Sequence, residues 1–360
     1  MRNHYEESLW EVLSRESRPI FLYGTGNGGD KIIAACGRYG ISLTGIFASD
    51  GFVRNRTFHE LPVRSYGDVT AEYGDDIVIL LAFGTVLPEV MAFIEMLDEK
   101  HTLYIPDVPL YGGELFDGAY FEAHRDRLEN VQSLLWDDRS VGIFRDAVNF
   151  RLSGKYRYLG NGSDNIETLR EVFGMQKIRT VLDGGAFKGD SAADFIEALS
   201  PERIIAVEAD ARTFKKLSEY AEGETRCQVI PVNAALWDEN REMTYVSSAS
   251  RGSGESGRNR RAKEVTVSCR TAGDIVRETL PESIDLIKLD VEGAEARALD
   301  GAAAVIGRNK PNLAVSLYHR TDDIMELIER VHALLPEHRL ILRRADCIPF
   351  WDLTLYGVRT

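Results

Sequence analysis

The chain is short of everything that would cross-link it or anchor it in a bilayer. Its four cysteines, Cys36, Cys227, Cys269 and Cys347, are widely spaced and form no C-x-x-C pair. That spacing fits neither a zinc site nor a disulfide framework, and it reads as reduced thiols of a cytoplasmic protein. No apolar run approaches the roughly 20 residues a membrane span needs. The opening "MRNHYEESLWEVLSRESRP" lacks the apolar core of a signal peptide. Positive charge is scarce too: 43 Lys and Arg stand against 57 Asp and Glu, a formal net charge of -14. A nucleic-acid partner needs a basic face to displace counterions from phosphates, so the composition argues against one.

What is present is an alternation of strand and helix signals in a chain of 360 residues, long enough for more than one core. "PIFLYG", "SLTGIFA", "DDIVILLAF" and "HTLYIPD" read as strands, with helices at "GDKIIAACGRYG" and from about Pro88 to Glu99. This implies a small Rossmann-like parallel sheet over residues 1–108. Residues 109–164 carry helical spacing and no Pro/Gly/Ser enrichment, so they read as a helical connector rather than a flexible linker. From 165 to 360 alternation returns, with helices expected at 190–199, 211–221, 294–306 and 322–335. The fold class is α/β throughout. The low-complexity stretch is "SSASRGSGESGRNRRAK", expected to be a mobile loop.

Two glycine turns follow strands. In "VLDGGAFKGDS", Asp183 ends a strand and Gly184, Gly185 and Gly189 lead into a helix. Such a turn can offer N–H groups to a ligand and let it approach the backbone. Alternatively it serves only tight strand–helix packing. The next strand, "RIIAVEAD", ends in Glu208, placed to receive two ribose hydroxyls, whereas Asp210 suits a helix cap. After the third strand, "VNAALWD" sets small residues where an adenine could lie. The fourth unit, "IDLIKLDVEGAEARALDGA", crowds Asp290, Glu292 and Glu295 at a strand end and helix start. The helix dipole alone favours acids there.

This ordered series resembles the FkbM family of S-adenosylmethionine-dependent methyltransferases over roughly residues 165–358. The resemblance implies a seven-stranded Rossmann-like methyltransferase fold with an antiparallel last strand. It implies that Asp183, Gly184, Gly185 and Gly189 border the methionine part of the cofactor, that Glu208 takes the ribose, and that Asn233 and Ala234 flank the adenine. Lys188 and Ser191 depart from the commonest pattern without removing a needed group. The implied activity is O-methylation of a sugar, sugar-nucleotide, glycan or natural-product hydroxyl. The acceptor is thus a small molecule or carbohydrate, with no nucleic acid and no membrane as partner. A base at the strand ends would assist such a poor nucleophile by about 10²–10⁴-fold. His319, in "SLYHRTDD", is one candidate and Asp290 the other, although a lone His there also serves as a structural hydrogen-bonder. Asp290, Glu292 and Glu295 could hold a divalent metal, but spacing along a helix sends them in different directions.

Two features remain. The loop 247–263 carries Arg251, Arg258, Arg260, Arg261 and Lys263, which read either as a solvated insertion or as a lid for an anionic acceptor. The first turn, "GTGNGG", places Gly24, Gly26 and Gly29 in G-x-G-x-x-G spacing, with Asp50 after the next strand. Residues 18–107 resemble the small N-terminal Rossmann-like domain of bacterial acetyltransferases acting on UDP-linked amino sugars. That resemblance implies either a sugar-nucleotide site or a bare scaffold. The alternatives to an enzyme of methyl transfer are a non-catalytic nucleotide-binding protein on the same scaffold and an oxidoreductase using the first turn.

Overall fold

The computed structural model describes residues 5–49, 53, 57–247, 263–279 and 283–360. Asp50 and the loop residues Arg251, Arg258, Arg260 and Arg261 lie outside the described residues, as does the Lys263 side chain.

Two parallel-type sheets organise the molecule. After α1 (Leu9–Ser14), the first sheet is built from β1 (Ile20–Tyr23), β2 (Gly45–Ala48), β3 (Thr57–Phe58), β4 (Leu61–Ser65), β5 (Val78–Leu81) and β6 (Thr102–Tyr104). Its order is β3-β4-β2-β1-β5-β6, parallel except for the β3–β4 pair. Helices α2 (Asn27–Arg38), α3 (Tyr66–Tyr73) and α4 (Pro88–Lys100) join the strands. Pro88 opens α4 at a position where a missing N–H costs nothing. The sequence reading passed over β3, β4 and α3. β3 has only two residues, and Pro62 interrupts the apolar signal of β4.

The connector holds α5 (Gly118–Ser133) and α6 (Asp138–Ser153), capped by Asp117 and Asp137, whose carboxylates accept backbone N–H bonds. It is no spacer. Every residue from Ala147 to Ser153 is buried, and Trp136 N–H donates to Leu340 O at 2.8 Å. The buried Arg343 binds Asp137 and Glu171, tying the connector to the far edge of the second sheet.

The second sheet follows α7 (Asn165–Phe173). Its strands are β7 (Thr180–Gly184), β8 (Arg203–Glu208), β9 (Gln228–Asn233), β13 (Leu286–Leu289), β14 (Asn312–Ser316), β15 (Arg339–Arg344) and β16 (Leu353–Val358). The order is β15-β16-β14-β13-β7-β8-β9, and β16 runs antiparallel to both neighbours. Helices α8 (Asp190–Leu199), α9 (Ala211–Gly223), α10 (Ala272–Thr279), α11 (Glu295–Asn309) and α12 (Asp323–Leu334) accompany it. A side sheet pairs β10 (Ala235–Leu236) with β12 (Lys263–Arg270) and β12, antiparallel, with β11 (Arg241–Ser247). One apolar cluster runs from Phe21 and Ile79 through Phe144 and Val148 to Leu313 and Leu355, so both sheets and the connector share a core. Among the described residues no helix is long and apolar enough to cross a membrane.

Candidate active site

In an open parallel sheet, ligands bind beyond the carboxyl ends of the strands, where the order reverses. Here β7 lies between β8 and β13, and the sequence motifs converge on that edge. Asp183 is fully buried and accepts from Ser191 Oγ at 2.6 Å. Register places Lys288 opposite Asp183, and its ammonium lies 3.2 Å from Asp183 Oδ1. The same ammonium donates to Gly185 O at 2.8 Å and reaches Asp290 Oδ2 at 3.9 Å. Burial opposes the lysine's charge, yet Asp183 and Asp290 raise its pKa. The sequence reading missed Lys288. A single ammonium inside the apolar strand "IDLIKLD" was the available signal, since a buried charge needs a partner.

Several N–H groups of the second glycine turn have partners within the fold. Gly185 and Ala186 N–H donate to Val207 O, Gly189 N–H to Ala186 O, and Phe187 N–H to Glu208 Oε2 at 3.1 Å. These four donors are therefore engaged within the fold. The glycines answer to packing: Gly185 has φ +75°, and a Cβ there would run into the Asp290 carbonyl. Gly189 has φ +101° and faces the Tyr220 ring, while a Cβ on Gly184 would strike Leu236.

Glu208 ends β8, half-buried, with Oε1 accepting Asp210 N–H at 2.8 Å. Two backbone donors thus fix the direction of its carboxylate. Asp210 caps α9 through Arg212 and Thr213 N–H. Asn233 pairs with Glu208 in register, and its amide donates to Glu208 O at 2.8 Å. Ala234 is buried beside it.

The acids of the fourth unit separate. Asp290 remains 31% exposed and accepts from Tyr318 Oη at 3.0 Å. Glu292, at φ +59°, turns outward and bonds the Tyr111 hydroxyl. Glu295 starts α11 and turns inward, 1% exposed, accepting Val291 N–H at 2.8 Å. His319, also 1% exposed, stands behind them. Its Nε2 is 3.6 Å from Asp290 and 3.7 Å from Glu292, and its Nδ1 is 2.9 Å from Glu295 Oε1 without a hydrogen bond's alignment. Asp290, Glu295 and His319 therefore converge, against the expectation of divergent acids, and Glu292 meets the same imidazole from the exposed side while bonding Tyr111. Burial opposes the charge on His319, but Glu295, Asp290 and Glu292 raise its pKa. Burial likewise works against Asp290, yet Lys288 and His319 hold its carboxyl below the usual range.

The first sheet reaches this edge. Thr85, just beyond β5, exchanges backbone hydrogen bonds with Ile348 in the β15–β16 connection. Tyr111 lays its ring edge-on to His319 at 5.7 Å, and Arg320 holds Tyr111 O at 3.1 Å. No sequence signal marked Tyr111. In the first turn, Gly24 has φ +113°, and a Cβ there would lie 2.7 Å from Phe83. Gly29 would approach Phe58 at 3.1 Å, and a Cβ on Gly26 would meet nothing within 4 Å.

Residues 183–345 match the family model described as methyltransferase FkbM domain. No curated protein matches the chain. A solved methyltransferase FkbM from Methylobacillus flagellatus KT is 19% identical, with 98% of this chain and 93% of that one covered and a TM-score of 0.69. The precorrin-6y C5,15-methyltransferase of Geobacter metallireducens GS-15 is 9% identical, covering 54% of this chain and 87% of its own, at TM-score 0.36. The fibrillarin of Aeropyrum pernix, solved with natively bound S-adenosyl-L-methionine, is 16% identical, covering 51% and 67%, at TM-score 0.31. The family match and the full-length likeness of fold agree with the strand order and the antiparallel β16. Over residues 183–345 the chain is thus similar to the methyltransferase FkbM domain.

Proposed function

We propose that the protein is an S-adenosylmethionine-dependent O-methyltransferase acting on a hydroxyl of a sugar, sugar nucleotide or related small molecule. The observation that carries this reading is the edge formed by Glu208, Asp290 and Glu292 at the ends of β8 and β13. The cofactor bears a sulfonium and an ammonium, and an edge lined by carboxylates suits both cations. Glu208, aimed by two backbone donors, would accept a ribose diol, and Asn233 and Ala234 would border the base. Asp183, locked by Lys288 and Ser191, holds the turn in place. When bound, the cofactor supplies an electrophilic methyl group, which leaves sulfur as a neutral thioether while the acceptor oxygen becomes an ether.

Asp290 is the group open to an acceptor at this edge. It accepts the hydroxyl's hydrogen bond and takes its proton as the C–O bond forms. His319, at 1% exposure and with raised proton affinity, is a positioning residue behind Asp290. Holding the acceptor oxygen in line with the cofactor's methyl group would supply much of the rate. Incubation with methyl-labelled cofactor and a panel of sugars and sugar nucleotides tests the reading. Label on a hydroxyl is expected, and label on nitrogen or carbon alone would replace it.

A further inference from the structure

We propose that Asp290, Glu295 and His319 form a binding site for a divalent cation of the Mn²⁺ type at the acceptor edge. The three come from separate places in the fold: the end of β13, the first residue of α11 and the segment after β14. Nevertheless, one ligand atom from each lies within 4.8 Å of the others. The turn that achieves this contains two left-handed residues, Glu292 and Gly293 at φ +59° and +89°. It swings Glu295 back under Asp290.

The second observation is a pair of orphaned atoms. Glu295 and His319 are each 1% exposed, yet Glu295 Oε2 and His319 Nδ1 have no hydrogen-bond partner. Buried polar atoms are nearly always partnered, so two such atoms in one cluster, on side chains that approach to 2.9 Å through Glu295 Oε1, call for a ligand. Charge points the same way. Asp290, Glu292 and Glu295 surround one imidazole, and Lys288 is engaged by Asp183 at 3.2 Å, closer than its 3.9 Å to Asp290.

One imidazole with two carboxylates selects among cations. Ca²⁺ asks for six to eight oxygens, and Mg²⁺ prefers waters and an all-oxygen shell. A mixed nitrogen and oxygen set suits Mn²⁺ and its first-row neighbours. Because Asp290 is the more exposed of the three, an ion here would keep its open positions toward the acceptor. An alcohol oxygen bound there would be polarised, and its proton would pass more readily to the Asp290 carboxylate oxygen that does not ligate the ion. This use of the ion rests on the methyl-transfer reading, but its binding does not.

The test is titration of the full chain with Mn²⁺, without cofactor or acceptor, followed by loss of the free-ion electron paramagnetic resonance signal. Saturation near one ion per chain is expected, with Asp290→Asn and His319→Gln each weakening binding about tenfold or more. Asp290 is part-exposed, so its variant should keep the native circular dichroism spectrum even where the His319 variant does not. No signal loss up to roughly 1 mM, or unchanged affinity in folded Asp290→Asn, overturns the site. Full label transfer in a chelator together with no Mn²⁺ uptake would also overturn it while leaving methyl transfer standing. Mn²⁺ uptake without label transfer would support the site and count against the proposed function alone.

Discussion

Lys288→Met tests whether one buried ammonium holds the active edge together. The ammonium sits 3.2 Å from the fully buried Asp183. At that separation and an effective dielectric near 20, the attraction is about 5 kcal/mol before desolvation is subtracted. Removing one member of a buried pair leaves the other charge uncompensated, and such losses run to about 3–5 kcal/mol. Ser191 still donates to Asp183 Oδ2, which favours the lower end of that range. A loss of about 3 kcal/mol would be a large part of a typical total of roughly 5–15 kcal/mol. Urea unfolding by far-ultraviolet circular dichroism should therefore show a lower midpoint with an unchanged slope. The double variant Lys288→Met/Asp183→Asn should recover at least half of the loss, because the stranded charge is gone. A single-variant loss below about 1 kcal/mol, or a double variant equal to the sum of its parts, would refute the pair as the organising contact.

Three further outcomes are expected. Glu208→Ala should weaken S-adenosylmethionine binding by about 1.5–3 kcal/mol, the worth of a charge-assisted hydrogen bond, and calorimetry showing equal affinity would remove Glu208 from the site. Glu6 is 17% exposed and its carboxyl is lowered to about 2: burial works against the charge, while Lys155, Tyr158 and Arg157 more than offset it. A depressed carboxyl stabilises the fold above its unfolded value of 4.5 and loses that contribution as pH falls toward 2. With Arg157 62% exposed, the discounted effect is about 1–3 kcal/mol. Glu6→Gln should flatten acid unfolding in that window, and an unchanged acid profile would show the cluster to be idle. A fragment of residues 165–360 should fail to fold alone, whereas one beginning near residue 105 should fold better, because α6 buries a continuous run against the second sheet. A cooperative melt from the shorter piece would show the connector to be dispensable.

What was legible in the sequence was local or periodic. The strand ends at Asp183, Glu208 and Asp290 follow from apolar runs that stop at an acid, and α8 matches its expected span because Gly189 and Leu199 bound it sharply. Asp210 was read as a cap and is one. Contacts between distant segments left no such trace. The Tyr111–Glu292 bond joins residues 181 positions apart, and neither residue type is unusual where it stands. Burial of His319 was equally hidden, since a polar "YHRTDD" stretch reads as a surface loop until Glu295 and Tyr111 are seen to close over it. The convergence of Asp290 with Glu295 was missed for a conformational reason. Helical periodicity over residues 290–295 predicts divergent side chains, while the chain there passes through two left-handed residues before α11 begins.

The same distinction explains what the first glycine turn does. Gly24 is required by its positive φ and by Phe83, and Gly28 by the carbonyl of Ala82, into which any Cβ would run. Those two residues bring α2 close against the end of β5. From α2, Lys31 donates to the carbonyls of Pro109 and Leu110 at 2.6 and 2.7 Å. The next residue is Tyr111, which bonds Glu292 and stacks edge-on against His319. A turn that looks like a nucleotide fingerprint thus fixes the helix that fixes the strap over the second sheet's acidic edge. The chain of contacts from Gly28 to His319 needs no ligand in the first sheet to account for those glycines. Gly26 stands apart, with open space around it and an extended backbone that any residue adopts. Its being glycine is therefore not explained by packing, and it is the position from which a sugar-nucleotide role for the first sheet would have to be argued.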